Sequence, residues 1–247
     1  MKETPACKAL ILAAGRGERM RPLTDATPKP LLSVGGTPLI VWHLQKLAAA
    51  GVHEVVINTS WLAEQFPRVL GDGARWNLSI RYSYEGTTPL ETGGGMHHAL
   101  SLLGDAPFIA VNGDIWSDVD YAQLPRAPAG DAHLLLIDNP AHNPGGDFAL
   151  DDGGLVFSQG TSRQTFAGIG VYRTTLFDRW RETIGDADGA DAMPPRFKLA
   201  PLLRAAMSEG RVTGEHHAGR WTDVGTPQRL AQLDATLCAE SGADIAN

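Results

Sequence analysis

Cysteine is scarce in this chain: Cys7 and Cys238 are the two among 247 residues, and they lie near opposite ends. That excludes a disulfide-framework protein and any metal site built on paired cysteines, and it favours a reducing cytoplasm. No apolar stretch approaches the ~20 residues needed to cross a bilayer. The start, MKETPACKALIL, flows into a glycine-rich segment, so it reads as a first strand and not as a signal peptide. Positive charge is also short: 21 Lys and Arg against 28 Asp and Glu leave a net charge of -7. A general nucleic-acid binder or an anionic-membrane binder needs a basic face, so neither is expected as a partner. There is no internal repeat and no low-complexity tract. With 43% hydrophobic and 20% charged residues, the composition is that of an ordinary globular enzyme with a proper core.

The informative run is Leu12 to Pro30, LAAGRGERMRPLTDATPKP. It follows the apolar strand Ala9 to Leu12. It offers Ala13, Ala14, Gly15 and Gly17, then Glu18, three arginines (Arg16, Arg19, Arg21) and Lys29. Small residues and glycines let a backbone approach phosphate oxygens, and the cations hold the charge. Arg19 can spread charge over several oxygens through its planar fork, whereas Lys29 acts as a compact point charge. Pro28 and Pro30 stiffen the loop around Lys29. The dinucleotide fingerprint fails because Met20 stands where the third glycine belongs. The P-loop pattern fails because no Gly-Lys-Ser/Thr occurs nearby.

Further on, apolar runs alternate with helical patterns. Pro38 to Ala50 has helical spacing and stops at Gly51. Val55 to Ile57 is a strand, Trp61 to Leu70 a helix and Ile80 to Tyr84 a strand. Gly95 to Leu103 reads as a helix entered through glycines, and Phe108 to Val111 as a strand. This alternation predicts a single α/β domain: a Rossmann-like, mostly parallel sheet flanked by helices on both faces. Ligands of such sheets sit beyond the carboxyl ends of the strands. Val111-Asn112-Gly113-Asp114 lies at that edge. There Asp114 either caps a turn or helps to hold Mg²⁺, which takes a few carboxylates plus phosphate and water oxygens. Asp223, in Trp221 to Pro227 (WTDVGTP), reads by itself as a cap of the helix starting near Pro227. Thr87 to Gly95 (TTPLETGGG) reads as a loop, with Glu85, Gly93 and Gly94 near it as candidates for contact with a base. His97-His98 and His216-His217 are discounted as metal pairs because neighbouring side chains point apart.

The second half is less regular. His133 to Ile137 is a strand and Asn139 to Asp147 a turn-rich loop. Thr165 to Tyr172 is a strand running into a helix over Thr174 to Ile184. Gly185 to Pro195 is a surface loop, and Lys198 to Met207 and Thr226 to Cys238 are helices. The Gly146-Asp147 turn either meets sugar hydroxyls or is an ordinary polar turn.

The run from Leu12 to Pro30 resembles the signature of the sugar-1-phosphate nucleotidylyltransferases, L-A-x-G-x-G-x-R-x-x-P-x-T-x-x-x-P-K-P. The WTDVGTP segment is similar to that family's W-x-D-x-G-T-P element, and TPLETGGG to its base-closing loop. Within the family, TPLETGGG, GGDFAL and FKLAPLLRAAM look most like the bacterial N-acetylmuramate-1-phosphate uridylyltransferases. The resemblance implies residues 1–117 as a nucleotide-binding half, 118–240 as a sugar-binding half and 241–247 as a tail. It implies a nucleoside triphosphate and a sugar 1-phosphate as substrates, Mg²⁺ on Asp114 and Asp223, and catalytic roles for Arg19 and Lys29. Ala13, Ala14, Gly15, Gly17, Glu18, Glu85, Gly93, Gly94 and Asn112 would meet the nucleotide, and Gly146 and Asp147 the sugar. A cytoplasmic monomer or small homo-oligomer is expected. One departure stands out. Many relatives carry Glu-Lys-Pro where this chain has Val156 to Gly160 (VFSQG), so another cation must hold the sugar phosphate. Arg163, Arg196, Lys198 and Arg220 are the candidates. Alternatives are a guanylyl-, thymidylyl- or uridylyltransferase acting on another hexose 1-phosphate, a catalytically silent nucleotide-sugar sensor and, more remotely, a dinucleotide oxidoreductase.

Overall fold

A computed structural model describes the backbone of residues 8–244 and the side chains of residues 8–240. Cys7 lies outside the described residues, and Cys238 is an exposed free thiol. The strands are β1 (Lys8–Leu12), β2 (Ser33–Val34), β3 (Thr37–Pro38), β4 (Glu54–Thr59), β5 (Ser79–Tyr84), β6 (Phe108–Asn112), β7 (Ile115–Ser117), β8 (Ala132–Ile137), β9 (Phe148–Leu150), β10 (Val156–Phe157), β11 (Arg163–Tyr172), β12 (Val212–His216) and β13 (Trp221–Asp223). The helices are α1 (Leu23–Ala26), α2 (Leu39–Ala49), α3 (Gln65–Leu70), α4 (Glu91–Leu103), α5 (Trp180–Ile184), α6 (Ala200–Ser208) and α7 (Pro227–Asp244). No described helix is long and apolar enough to cross a membrane.

The large sheet runs β10-β9-β11-β6-β1-β4-β5, with β8 also on β11 and β12 on β8. It is a mostly parallel mixed sheet. β6, β1, β4 and β5 are parallel, and so are β8 and β12, whereas β11 runs against its neighbours. Strand periodicity explains why both faces are apolar. Ala9, Ile11, Val55, Ile57, Ile109 and Val111 point to one face, where Ile40, Leu44 and Leu47 of α2 and Phe66 of α3 cover them. Leu10, Val56, Phe108 and Ala110 point to the other, under Met96 and Ala99 of α4 and Leu202 and Leu203 of α6. Each such side chain contributes roughly 1.5–3 kcal/mol on burial.

Four expected elements differ in extent. The helix expected from Trp61 starts at Gln65. Pro67 has no N–H to donate, so it fits in a first turn and not seven residues into a helix. The helix expected over Thr174 to Ile184 is a tight turn at Thr174–Phe177 followed by α5; β-branched Thr174 and Thr175 are poor helix formers. Gly93 and Gly94, expected in a loop before a helix starting at Gly95, lie inside α4, which starts at Glu91. Helix α7 also takes in residues 241–244 of the expected tail.

Two small ladders were not foreseen. β2 pairs with β3 as a hairpin whose Val34 packs with Leu233 and Leu237 of α7. β7 pairs antiparallel with β13, setting Asp223 opposite Ile115. Val224 N donates to Asp114 O at 3.0 Å. Behind this ladder lies buried His43 of α2, whose Nδ1 is 2.8 Å from the Tyr121 hydroxyl and whose Nε2 is 2.9 Å from Ile115 O. Burial lowers its pKa to about 4, so the ring is neutral and fixes α2 to β7.

Candidate active site

The parallel strands β1, β4, β5 and β6 end at one edge of the sheet, with Leu12 in register with both Asn58 and Asn112. A cavity of about 550 Å³ opens there. One wall is the backbone of residues 13–19, as the glycines and alanines suggested. Gly17 adopts a left-handed φ of 62°. A Cβ there would sit 2.9 Å from Thr24 Cγ2 and 3.2 Å from Lys29 Cβ. The loop therefore folds back on itself and delivers Lys29 to the cavity. Arg16 donates across to Thr87 O at 3.1 Å. Arg19 lines the cavity, and among the described residues its guanidinium has no partner.

Lys29 is buried, and its Nζ lies 2.7 Å from Asp114 Oδ2 and 4.0 Å from Asp223 Oδ1. Two carboxylates, one just before β7 and one at the end of β13, thus converge on one cationic point. The donor set suits a divalent cation that takes its remaining ligands from phosphates and water. Among the described residues no group of three or more His, Cys, Asp or Glu forms a self-sufficient metal site. Asp223 is also held by Arg229, whose Nη1 is 2.9 Å from Oδ2, and His142 Nε2 lies 3.4 Å from the same oxygen.

The other end of the cavity is built on Asn58 and Glu85. Asn58 Oδ1 accepts from Ala13 N, and its Nδ2 donates to Glu85 Oε1 at 2.6 Å. Glu85 Oε2 accepts from Leu90 N at 2.8 Å. Burial pushes the Glu85 carboxyl up to about 7, against the pull of these hydrogen bonds. Glu91 enters the same wall at an unusual φ of 63°.

A nucleotidyl transferase family model matches residues 8–144. An N-acetylmuramate alpha-1-phosphate uridylyltransferase from Neisseria meningitidis is 48% identical over 92% of this chain and 97% of its own length. The chain belongs to the nucleotidyl transferase family. The transferase is also 34% identical to a Caulobacter vibrioides protein of the same name, over 93% and 96% of the two chains. It is 32% identical to a mannose-1-phosphate guanylyltransferase from Mycobacterium tuberculosis, over 93% of this chain and 64% of that one. In fold it is similar to a Bacillus anthracis protein assigned as a glucose-1-phosphate thymidylyltransferase and crystallised with sucrose. The TM-score is 0.79, with 21% identity, over 94% of this chain and 96% of that one.

Of the residues singled out from the sequence of the transferase, Ala13, Ala14, Gly15, Gly17, Glu18, Arg19, Lys29, Glu85, Asn112 and Asp114 line one cavity. Asp223 joins them through Lys29. Gly93 and Gly94 do not line it. They let the backbone of α4 approach residues 195–198, since a Cβ at Gly93 would meet the Phe197 ring at 2.7 Å and one at Gly94 would meet Pro195 O at 2.5 Å. Gly94 N donates to Phe197 O and Phe197 N to Leu90 O, so this contact fixes the entrance of α4. Gly146 and Asp147 also lie outside the cavity wall. The Asp147 carboxylate accepts from Phe166 N at 2.9 Å and pins the turn to β11. Asn58, Arg229 and His142 were missed. A polar residue closing an apolar strand, as in EVVINT, is a signal that could have found Asn58.

Proposed function

We propose that the chain joins UTP and N-acetylmuramate α-1-phosphate, giving UDP-N-acetylmuramate and pyrophosphate, in the recycling of cell-wall sugars. The observation that carries the chemistry is the meeting of Asp114, Asp223 and Lys29 at the mouth of a cavity walled by a phosphate-type loop. The substrates are those named for the Neisseria and Caulobacter relatives, which align along nearly their whole length. A UTP-dependent reaction belongs in the cytoplasm, where nucleoside triphosphates are held.

The sugar phosphate is already anionic at neutral pH, so no Ser, Cys or His nucleophile is required. One of its oxygens attacks the α-phosphorus of UTP in line. The new P–O bond forms as the bond to pyrophosphate breaks. Arg19 and Lys29 bind the triphosphate and stabilise charge on the departing pyrophosphate. The 13–19 backbone orients the phosphate chain. Asn58 and Glu85 face the base. Asp114 and Asp223 would hold Mg²⁺, which when bound supplies charge neutralisation between the two anionic substrates.

The test is pyrophosphate release with Mg²⁺, crossing UTP, dTTP, GTP, ATP and CTP against N-acetylmuramate-, N-acetylglucosamine-, glucose- and mannose-1-phosphates. Turnover confined to UTP with N-acetylmuramate 1-phosphate is expected. A maximum at another pair would replace the substrate assignment. Silence with every pair would favour a nucleotide-sugar sensor.

A further inference from the structure

The incoming sugar phosphate is a dianion that must settle beside a triphosphate, so a cation beyond those holding the triphosphate is required. None of the four basic residues considered from the sequence lines the cavity. Arg196 is paired with Asp188, and Arg220 with Glu240. Arg163 lies beside Gly145 in the outer loop, and Lys198 sits behind Gly93. The VFSQG segment, where relatives carry lysine, starts in β10, an edge strand.

We propose that Arg229 receives the phosphate of the sugar 1-phosphate, an assignment that rests on the nucleotidyltransfer reading above. Arg229 stands in the first turn of α7, directly after the WTDVGTP turn. Its side chain is half-buried, and Nη1 is anchored on Asp223 Oδ2 at 2.9 Å. Nη2 makes no hydrogen bond among the described residues. Like those four, Arg229 does not itself line the cavity, but its Nη2 lies over Gly225, where a Cβ would come within 2.5 Å of it, and Gly225 is part of the cavity wall. The guanidinium therefore has one side fixed and the other facing the space beside the Lys29 cluster. On the anchored side the ring of His142 also approaches, its nitrogens 3.2 Å from Nη1 and its Nε2 3.4 Å from Asp223 Oδ2. His142 belongs to the 138–147 loop, so Arg229 ties that loop to Asp223, which in turn lies 4.0 Å from Lys29 Nζ. A planar fork held by one carboxylate and open on its other edge is suited to a phosphate monoester.

Arg229→Gln and Arg229→Lys test the assignment in the full-length chain, with separate titrations of sugar 1-phosphate, UTP and Mg²⁺. For the Gln variant the KM for sugar 1-phosphate should rise roughly 10- to 100-fold, the range for losing a charge-assisted hydrogen bond. The KM for UTP should stay within about twofold, and the half-saturating Mg²⁺, which shifts only through the lost contact to Asp223, should change less than the KM for sugar 1-phosphate. The Lys variant keeps the charge and loses the fork, so it should fall between the Gln variant and wild type, and it decides the matter if the Gln variant does not fold. An unchanged KM for sugar 1-phosphate together with a raised Mg²⁺ requirement would overturn the assignment and make Arg229 a positioning residue for Asp223. Absence of turnover in the wild-type chain would instead overturn the nucleotidyltransfer reading itself.

Discussion

Glu85 offers a test in which the structure sets both sign and size. Its carboxyl is buried and its pKa rises from 4.5 to about 7. The folded protein therefore keeps a proton that the unfolded chain releases between those values. Stability must fall as pH rises through that window, with the loss complete above 7. At about 1.4 kcal/mol per pH unit, the rise corresponds to roughly 3 kcal/mol, of which about 2–3 kcal/mol accrues between pH 5 and pH 8. Glu85→Gln removes the titration. It also places an amide where two oxygens accept from Asn58 Nδ2 and Leu90 N, and one of those bonds is lost. That loss costs about 1–3 kcal/mol at every pH. The variant should thus be less stable than wild type at pH 5, and the deficit should shrink by about 2–3 kcal/mol by pH 8. Urea denaturation followed by tryptophan fluorescence at intervals across this range measures both curves. Parallel curves for the two proteins would refute the argument, because they would mean that Glu85 ionises alike in the folded and unfolded chains.

Three further outcomes are expected. Lys29→Met should lower kcat on the order of 10²- to 10³-fold, while a nucleotide-free sample keeps its melting temperature to within a few degrees; unchanged turnover would remove Lys29 from the charge-stabilising set. Asp114→Ala and Asp223→Ala should each abolish Mg²⁺-dependent pyrophosphate release with the circular dichroism spectrum preserved, and near-normal activity in either would take that residue out of the metal site. Gly95→Ala puts a methyl against the Glu85 carboxylate and the Asn58 amide, so it should destabilise the protein by about 1–3 kcal/mol and weaken UTP binding. A denaturation midpoint equal to wild type would show that this wall of the cavity yields without cost.

What the sequence made legible follows from range. β1, β4 and β6 are apolar runs closed by a polar or small residue, and their chemistry depends on a few neighbouring positions. The phosphate loop was equally local, since Gly17, Arg19 and Lys29 lie on one stretch of chain. The glycines of α4 misled for the opposite reason. Their composition signals a loop, but their place is set by distant groups pressing on them, residues 195–198 on Gly93 and Gly94, and Glu85 with Asn58 on Gly95. Those contacts offset the cost of glycine in a helix, about 1 kcal/mol each. Arg229 reads as a surface residue of an ordinary amphipathic helix. Only the fold shows that this turn of α7 abuts Asp223. His142 is a similar case, one polar residue in a loop rich in them until the loop is laid against the ladder.

The β7–β13 ladder has a consequence for the order in which the protein matures during synthesis. β1, β4, β5 and β6, with the loops at their ends, are complete once the first 114 residues have emerged. Asp223 follows 109 residues after Asp114 (223 − 114), and three paired residues on each strand then bring it beside Asp114. Chains fold progressively from the N-terminus as they are produced, and distant pairings close late. The nascent protein would therefore pass through a stage that has its phosphate loop and one carboxylate but lacks the second. On the proposed metal role of Asp223, the site is therefore incomplete until the ladder closes, so a local pairing of three residues gates the assembly of a site whose other parts lie far upstream.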